Sequence, residues 1–471
     1  MPVERWDAVV VGAGVAGLVA ARDLVRAGRR TLVLDGRDAP GGVVRAHEVA
    51  GLRLDAGADS FATRGGTVTG YLAELGLADR VCHPSGLGAW VHLPSGDGPL
   101  PRTGLLGIPS RPGAADVRRT LGVLGSARAS LDLVLPRRVG ASATSLGALV
   151  RARMGARVLD RLVRPVVAGV HAAEPDDLAI DAVAPGLHAA LGRSRGSLAR
   201  AVRALRAAAP AGSAVAGLDG GVHGLVDALV AEVEQGGAIR VRTRVERIER
   251  TDDGVVVSTP AGTVQAPIVV LAAPVAGLLS DLVGPLASAP DDGAAVTLVT
   301  LVLDAPALDA APRGTGVLVA READDVRAKA LTHATAKWPW LASAAGPGRH
   351  VVRLSYGRAE DPAPGRAGAD VPAPGGPTPD AAAPDAATAL ADAATLLGTP
   401  LTADQVVAHS VVRWTQALPR PSAAHRDWVT AARAALADAP DVAVVGAWVA
   451  GNGLAAVIPD ARASVAALLS R

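Results

Sequence analysis

The residues with the plainest chemistry come early. In VVVGAGVAGLVAARDL, Val9 to Leu24, glycines stand at Gly12, Gly14 and Gly17, with Ala13, Val15 and Ala16 between them. That spacing suits a phosphate-binding turn. The first glycine permits the bend, the second lets a pyrophosphate approach the backbone, and the third lets a helix pack on a strand. A carboxylate follows at Asp35, placed to accept hydrogen bonds from a ribose. A second stretch, RPVVAGVHAAEP, sets Pro165 and Gly169 in an apolar, helix-like run, and both residues are expected to break it.

Elements must hold these residues in place. Ala8 to Val11 read as a buried strand and Val15 to Ala27 carry helical spacing, so the glycines lie at a strand-to-helix turn. The helix start offers free N–H groups and a positive dipole end to phosphates. Thr31 to Leu34 read as the next strand, ending at Asp35. Past it come Gly41 and Gly42, where a nicotinamide-binding domain would continue into a crossover helix. Instead VRAHEVAGLRLDAGADSF alternates apolar and polar residues about Ala50-Gly51, which predicts a β-hairpin and then a loop from Gly57 to Phe61. Residues 239–271 predict strands, with a hairpin turn at Asp253-Gly254 and a buried strand from Ile268 to Ala272. Near the C-terminus the pattern predicts a strand from Val442 to Val445, a glycine turn beginning at Gly446, and a last helix from about Pro459.

The 471 residues suffice for two or three domains. A net charge of +2 gives no electrostatic case for nucleic acid. The positive charge is almost all arginine, Lys329 and Lys337 being the two lysines. One cysteine, Cys82, excludes an internal disulfide and a thiolate metal cluster. No metal is expected. The first strand begins almost at once, so no signal peptide is expected, and no uninterrupted apolar run is long enough to span a membrane. A cytoplasmic protein is expected. Leu131 to Leu135, followed by Pro136, Arg137 and Arg138, reads as a buried helix end, with peripheral membrane contact as the other reading. Residues 359–386, rich in Pro, Ala and Gly, have no hydrophobic pattern and read as a low-complexity surface loop.

A glycine pair after the ribose acid, followed by a hairpin, resembles the extended FAD fingerprint of the glutathione-reductase-like flavoproteins. The strands of 239–271 and the C-terminal glycine turn resemble their later FAD elements. Between these pieces come RLVRPVVAGVHAAEPDDLAI (161–180), LDGGVHGLVDAL (218–229), HVVRLSYGR (350–358) and VVRWTQALPRPSAAHRDWV (411–429). In that order, with the fingerprint, they resemble the flavin-dependent porphyrinogen oxidases of haem synthesis. These are the oxygen-dependent protoporphyrinogen oxidases and their Gram-positive relatives that act on coproporphyrinogen III. The resemblance covers nearly the whole chain. Its FAD motifs are shared with monoamine oxidases and carotenoid desaturases, whereas the Pro165–Leu178 and Trp414–His425 segments are more specific.

The resemblance implies an α/β architecture like that of monoamine oxidase. A doubly wound, Rossmann-like FAD domain takes residues 1–85, 213–288 and 439–471. A substrate domain on a mixed sheet takes 86–112 and 289–438, and a helical region takes 113–212. It implies non-covalent FAD, held by Gly12 to Gly17, Asp35, Gly41, Gly42, Gly57, Ala58, Asp59, Ser60, Val245, Trp414, Gly446, Asn452, Gly453 and Leu454. Asp35 departs from the commoner glutamate, and AAEPDDL replaces a more glycine-rich stretch.

The implied reaction takes hydride from a porphyrinogen methylene bridge to the flavin and releases pyrrole protons. Dioxygen then reoxidises the flavin and gives hydrogen peroxide. At the active site a glycine, Gly169, would let the macrocycle approach the backbone, its carbonyl accepting pyrrole N–H groups. Its neighbours are Val170 and His171; the histidine either assists proton removal or is structural. Arg64 and Arg195 either pair with propionates or are solvated. Trp90, Trp338 and Trp414 either flank the flat ligand or fill core.

No catalytic dyad or triad is evident in the sequence. The expected substrate is coproporphyrinogen III, the alternative protoporphyrinogen IX; the next haem-pathway enzyme, of ferrochelatase type, is an expected partner. A flavin amine oxidase or desaturase, and a non-catalytic FAD-binding protein, are the rival readings.

Overall fold

The computed structural model describes residues 3–101, 104–171, 174–208, 215–284, 286, 294–357, 384–418 and 423–470. Nearly all of the low-complexity stretch 359–386 lies outside the described residues. At the centre is a five-stranded parallel sheet in the order Gly237–Arg240, Thr31–Leu34, Ala8–Val11, Ile268–Leu271, Val442–Val444. Ala8–Val11, Thr31–Leu34 and Val442–Val444 are buried at every position. Such sheets are covered on both faces and read as continuous apolar runs. Val10, Val33 and Val270 face the helices Val15–Arg26, Gly224–Val233 and Leu454–Leu469, while Val9, Leu32 and Val269 face the opposite way with Ile248, Val257 and Trp428.

A four-stranded sheet covers that second face, in the order Glu4–Arg5, Gly262–Ala266, Gly254–Thr259, Arg247–Thr251. Its hairpin turns on Asp252-Asp253 rather than Asp253-Gly254. Gly254, at φ +117, already pairs with Thr251, since it alone of these residues takes that backbone without strain.

A seven-stranded mixed sheet has the order Val406–Leu418, Ala294–Asp304, Arg349–Tyr356, Ala330–His333, Gly316–Val319, Trp90–His92, Gly98–Pro99. One face packs on the helix Ala386–Leu397; the other packs on Trp338 and Leu341 and carries the sheet's own Trp414 against Ala56. The helical part has its own core, built on Leu121, Leu149, Leu162 and Val202.

Three further elements depart from expectation. Pro165 and Gly169 do not break their helix. Helical backbone runs from Ala156–Val158 through a π-turn, Leu159–Val163, into Arg164–His171. Proline has no N–H to return and its ring crowds the carbonyl four residues back, and the wider π-turn relieves both.

The last helix starts at Leu454 and holds Pro459 inside it. Gly453, at φ +94, is the residue that starts it.

Leu131 and Val134 are 49% and 77% exposed, so Leu131 to Leu135 is not a buried helix end. Asp132 takes the inward position instead. Its carboxylate accepts Arg153 Nε at 2.7 Å, Ser197 Oγ at 2.8 Å and the amides of Leu198 and Ala199 at 3.0 and 2.8 Å. Turning Asp132 inward turns its apolar neighbours out. Among the described residues no helix is long and apolar enough to cross a membrane.

Candidate flavin site

The expected cofactor residues gather at the carboxyl edge of the parallel sheet, the usual ligand crevice of such sheets. Gly12 takes φ +108, and its N–H donates to Leu34 O at 2.7 Å. Gly17 lies so close that a Cβ there would stand 1.9 Å from Gly12 O. At Gly14 a Cβ would meet nothing within 4 Å. Gly14 precedes the helix Val15–Arg26, whose start has no side-chain cap and no acidic residue in its first turn. The arrangement is an open cradle of amides beneath a helix dipole, and it fits a pyrophosphate.

Asp35 closes the cradle from the side. Its carboxylate accepts the Ala13 amide at 2.6 Å and the Arg37 amide at 2.8 Å. The shorter acid thus braces the turn and keeps further lone pairs for a ribose. The amides of Thr243 and Arg242 donate to Asp35 O and Arg37 O, which brings the 242–245 segment, with buried Val245, beside Asp35. Gly41 N donates to Ala13 O at 2.7 Å, and Gly42, at φ +61, sits over Gly14. The second glycine pair therefore extends the first turn.

The hairpin Ala46–Val49 and Leu52–Asp55 turns through Ala50 and Gly51, both at positive φ, as expected. Its exit is fixed by Trp414, whose indole N–H donates to Ala56 O at 3.1 Å. A Cβ on Gly57 would stand 3.3 Å from that ring. Arg45 and Arg37 lie over the same indole at 5.2 and 6.0 Å. Ala58 N donates to Val43 O at 3.0 Å, and Ser60 Oγ donates to Asp59 at 3.0 Å.

Asp59 is the best-paired acid of the site. Lys337 Nζ donates to its two oxygens at 3.1 and 3.0 Å, and Arg353 Nη2 lies at 3.3 Å. Burial pushes the Asp59 carboxyl up, but the Lys337 and Arg353 cations overcome it and hold it well below the ordinary carboxylate range. Arg353 also donates to the carbonyls of Asp55 and Gly57, at 3.2 and 2.8 Å. The 55–59 loop is thereby tied to the seven-stranded sheet. Lys337 and Arg353 escaped the sequence reading. Lysine's scarcity in an arginine-rich chain was the available signal for Lys337.

On the far side of the crevice, Gly446 takes φ +118 beside Ala272 O. A Cβ added at Gly451 or Gly453 would meet nothing within 4 Å, and the helix Leu454–Leu469 starts without a side-chain cap. A second open, electropositive helix start thus fits the electron-rich edge of a flavin ring. Asn452 lies between those glycines.

Arg64 is exposed, in a short 3-10 turn after Phe61–Ala62. Arg195 is exposed in a turn of the helical part, at φ +54. Trp90 lies under the Arg313 guanidinium at 4.7 Å, whereas Trp338 packs on Gly217 beneath Lys337 Nζ, 4.9 Å from its ring, and lines one cavity with Asp59 and Arg353. Gly169, Val170 and His171 occupy the last turn of Arg164–His171; their side chains lie outside the described residues.

The comparisons agree with this geometry. The flavin containing amine oxidoreductase family matches residues 15–361. A Mycobacterium tuberculosis protein named coproporphyrinogen III oxidase is 31% identical over 98% of this chain and 96% of its own length. A protein of Exiguobacterium sp. 255-15, provisionally named a protoporphyrinogen oxidase, shares the fold over the whole of both chains, with a TM-score of 0.80 and 24% identity. Cyclohexylamine oxidase from Brevibacterium oxydans also shares it, with a TM-score of 0.62 and 16% identity over 99% of this chain and all of that one. The chain belongs to the flavin containing amine oxidoreductase family, and within it nearly its full length is similar to proteins named coproporphyrinogen III oxidase.

Proposed function

We propose that the chain binds FAD without a covalent link and oxidises coproporphyrinogen III to coproporphyrin III, with dioxygen as electron acceptor and hydrogen peroxide as co-product. The observation that carries this is the near-full-length similarity to a protein of that name, 31% identical over 98% of the chain. In this reading residues 1–85, 213–288 and 439–471 hold the cofactor, 86–112 and 289–438 form the substrate domain, and 113–212 the helical region. The protein works in the cytoplasm and passes product to a ferrochelatase-type enzyme.

FAD, once bound, would supply two-electron chemistry; three rounds, each passing its electrons to dioxygen as one peroxide, would account for the six electrons between porphyrinogen and porphyrin. The protein's part is to bind, orient and keep water out. The amides at Gly12 to Gly17 and the Val15 helix start hold the pyrophosphate, Asp35 the ribose, and the Leu454 helix start the ring edge. Gly57 to Ser60, braced by Trp414 and the Asp59 ion pairs, form the floor. Gly169 lies in the last turn of its helix, where carbonyls lack intrahelical donors. Its carbonyl accepts a pyrrole N–H, and Val170 and His171 complete that wall. Arg64, exposed beyond the floor loop, meets a propionate at the rim.

Two results are expected. Acid precipitation releases the yellow chromophore into the supernatant; flavin left in the pellet would mean a covalent link. Gly169→Leu keeps its helix, since leucine favours helix over glycine. It retains FAD but loses turnover at least about a hundredfold, the equivalent of roughly 2.7 kcal/mol. Undiminished rates in the flavin-loaded variant would remove Gly169 from the substrate wall.

A further inference from the structure

Arg164 opens the helix that ends at His171, and its side chain is 15% exposed. Four carboxylates ring its guanidinium. Nη1 donates to Asp160 at 2.7 Å, in the π-turn, and Nε donates to Glu174 at 2.9 Å. Glu322 lies 3.8 Å away and Asp176 3.9 Å. These acids come from three places. Asp160 precedes the helix, Glu174 and Asp176 follow it, and Glu322 belongs to the segment after Gly316–Val319 in the seven-stranded sheet.

Eight helical residues span about 12 Å, yet Glu174 stands beside the first of them. Glu174 and Asp176 thus stand at the start of the helix rather than at its end. The segment that carries them is anchored to the helix Leu146–Met154. Gly147 N donates to Pro175 O at 2.8 Å, and Arg151 grips Asp176 bidentately at 3.1 and 2.7 Å. Arg321 lies 3.9 Å from Glu174 and adds a second link to the sheet. The helix that carries Gly169, Val170 and His171 is thus pinned at its start. That start is tied to the π-turn, to the helical core and to the sheet.

We propose that Arg164 is a positioning residue for the porphyrinogen, fixing the turn that carries Gly169 relative to the sheet through Glu322. The inference rests on the reading of Gly169 as part of the substrate wall. The porphyrinogen meets that turn on binding, so a displaced turn weakens ground state and transition state alike, which raises KM and leaves kcat nearly unchanged.

The test uses the FAD-loaded protein. Arg164→Gln is expected to raise KM for coproporphyrinogen III at least fivefold and to change kcat less than twofold. Reoxidation of the photoreduced flavin by dioxygen, which involves no porphyrinogen, stays within twofold of wild type. Glu322→Gln shifts KM in the same direction. The double variant is no worse than Arg164→Gln alone, because both act through one contact. A purely structural ion pair would lower the melting temperature and leave KM where it was. An unchanged KM in Arg164→Gln overturns the proposal, and so do KM effects of the two variants that multiply. If Arg164→Gln loses its FAD or fails to fold, Glu322→Gln decides by the same KM criterion. A wild type that oxidises no porphyrinogen overturns the functional reading as well; one that does, with KM unmoved in the variants, overturns only the role of Arg164.

Discussion

Gly17→Ala is expected to fold poorly and to purify without flavin. Its Cβ would stand 1.9 Å from Gly12 O, a backbone atom of the turn itself, and 3.0 Å from Ala272 Cβ. No side-chain rotation relieves a clash with backbone. The helix Val15–Arg26 must move off the sheet, and the cradle opens with it. Overpacking a tight core costs about 1–3 kcal/mol, and more where backbone has to shift, so a loss of about 3 kcal/mol is expected.

Gly14→Val is the informative partner. Its φ is −68, ordinary for any residue, and a Cβ there meets nothing within 4 Å. The variant should therefore melt like the wild-type apoprotein and still lose FAD affinity at least about a hundredfold, because the side chain fills the place of the pyrophosphate. Flavin-to-protein ratios and melts of the two variants separate the roles. Full FAD loading of Gly14→Val would show that the open space is not where the cofactor lies.

Asp59→Asn should destabilise the protein by about 3 kcal/mol, the lower end of the cost of leaving buried charge uncompensated. The lower end applies because the Asp59, Lys337 and Arg353 side chains keep 15%, 17% and 15% exposure. The amide leaves two cations without a counter-ion. Lys337→Met should cost less, since Arg353 still pairs with Asp59 at 3.3 Å.

The pH dependence follows from the direction of the shift. A carboxyl held below its unfolded value adds stability above about pH 4, the ordinary carboxylate value, and that stability is lost as the pH falls toward the folded value. The gap in urea midpoint between wild type and Asp59→Asn should be full at pH 7 and narrow below pH 4. A gap independent of pH, or no gap at pH 7, would show that the ion pairs do not hold the floor loop.

Local features were legible in the sequence, because period and turn chemistry are local. The strands Ala8–Val11 and Thr31–Leu34 and the Ala50-Gly51 hairpin fall where their patterns place them. The helix through Pro165 was not legible. Proline normally ends a helix, and the π-turn that rescues it leaves no mark in hydrophobic spacing. The Asp59 cluster was invisible for another reason. Lys337 is 278 residues from Asp59 in sequence, and no periodicity reports such a pairing. Likewise Trp414 reaches Ala56 across 358 residues, and only resemblance to other proteins marked it. At Leu131 to Leu135 the apolar run misled, because Asp132, the one charged residue within it, is the residue that is buried.

The central claim is tested most directly by presenting the FAD-loaded protein with coproporphyrinogen III and, separately, protoporphyrinogen IX. Initial rates are followed by product fluorescence and by peroxide, at matched oxygen and detergent, against heat-inactivated protein to subtract autoxidation. Coproporphyrinogen III carries four propionates and protoporphyrinogen IX two. Each charge-assisted bond at the rim contributes about 1.5–3 kcal/mol. The account therefore predicts coproporphyrin III formation with peroxide release, and a kcat/KM for coproporphyrinogen III at least about tenfold the higher, roughly 1.4 kcal/mol. Equal rates, or a preference for protoporphyrinogen IX, would contradict the substrate assignment. No oxidation of either above the heat-inactivated control, with turnover of an amine instead, would contradict porphyrinogen oxidation altogether.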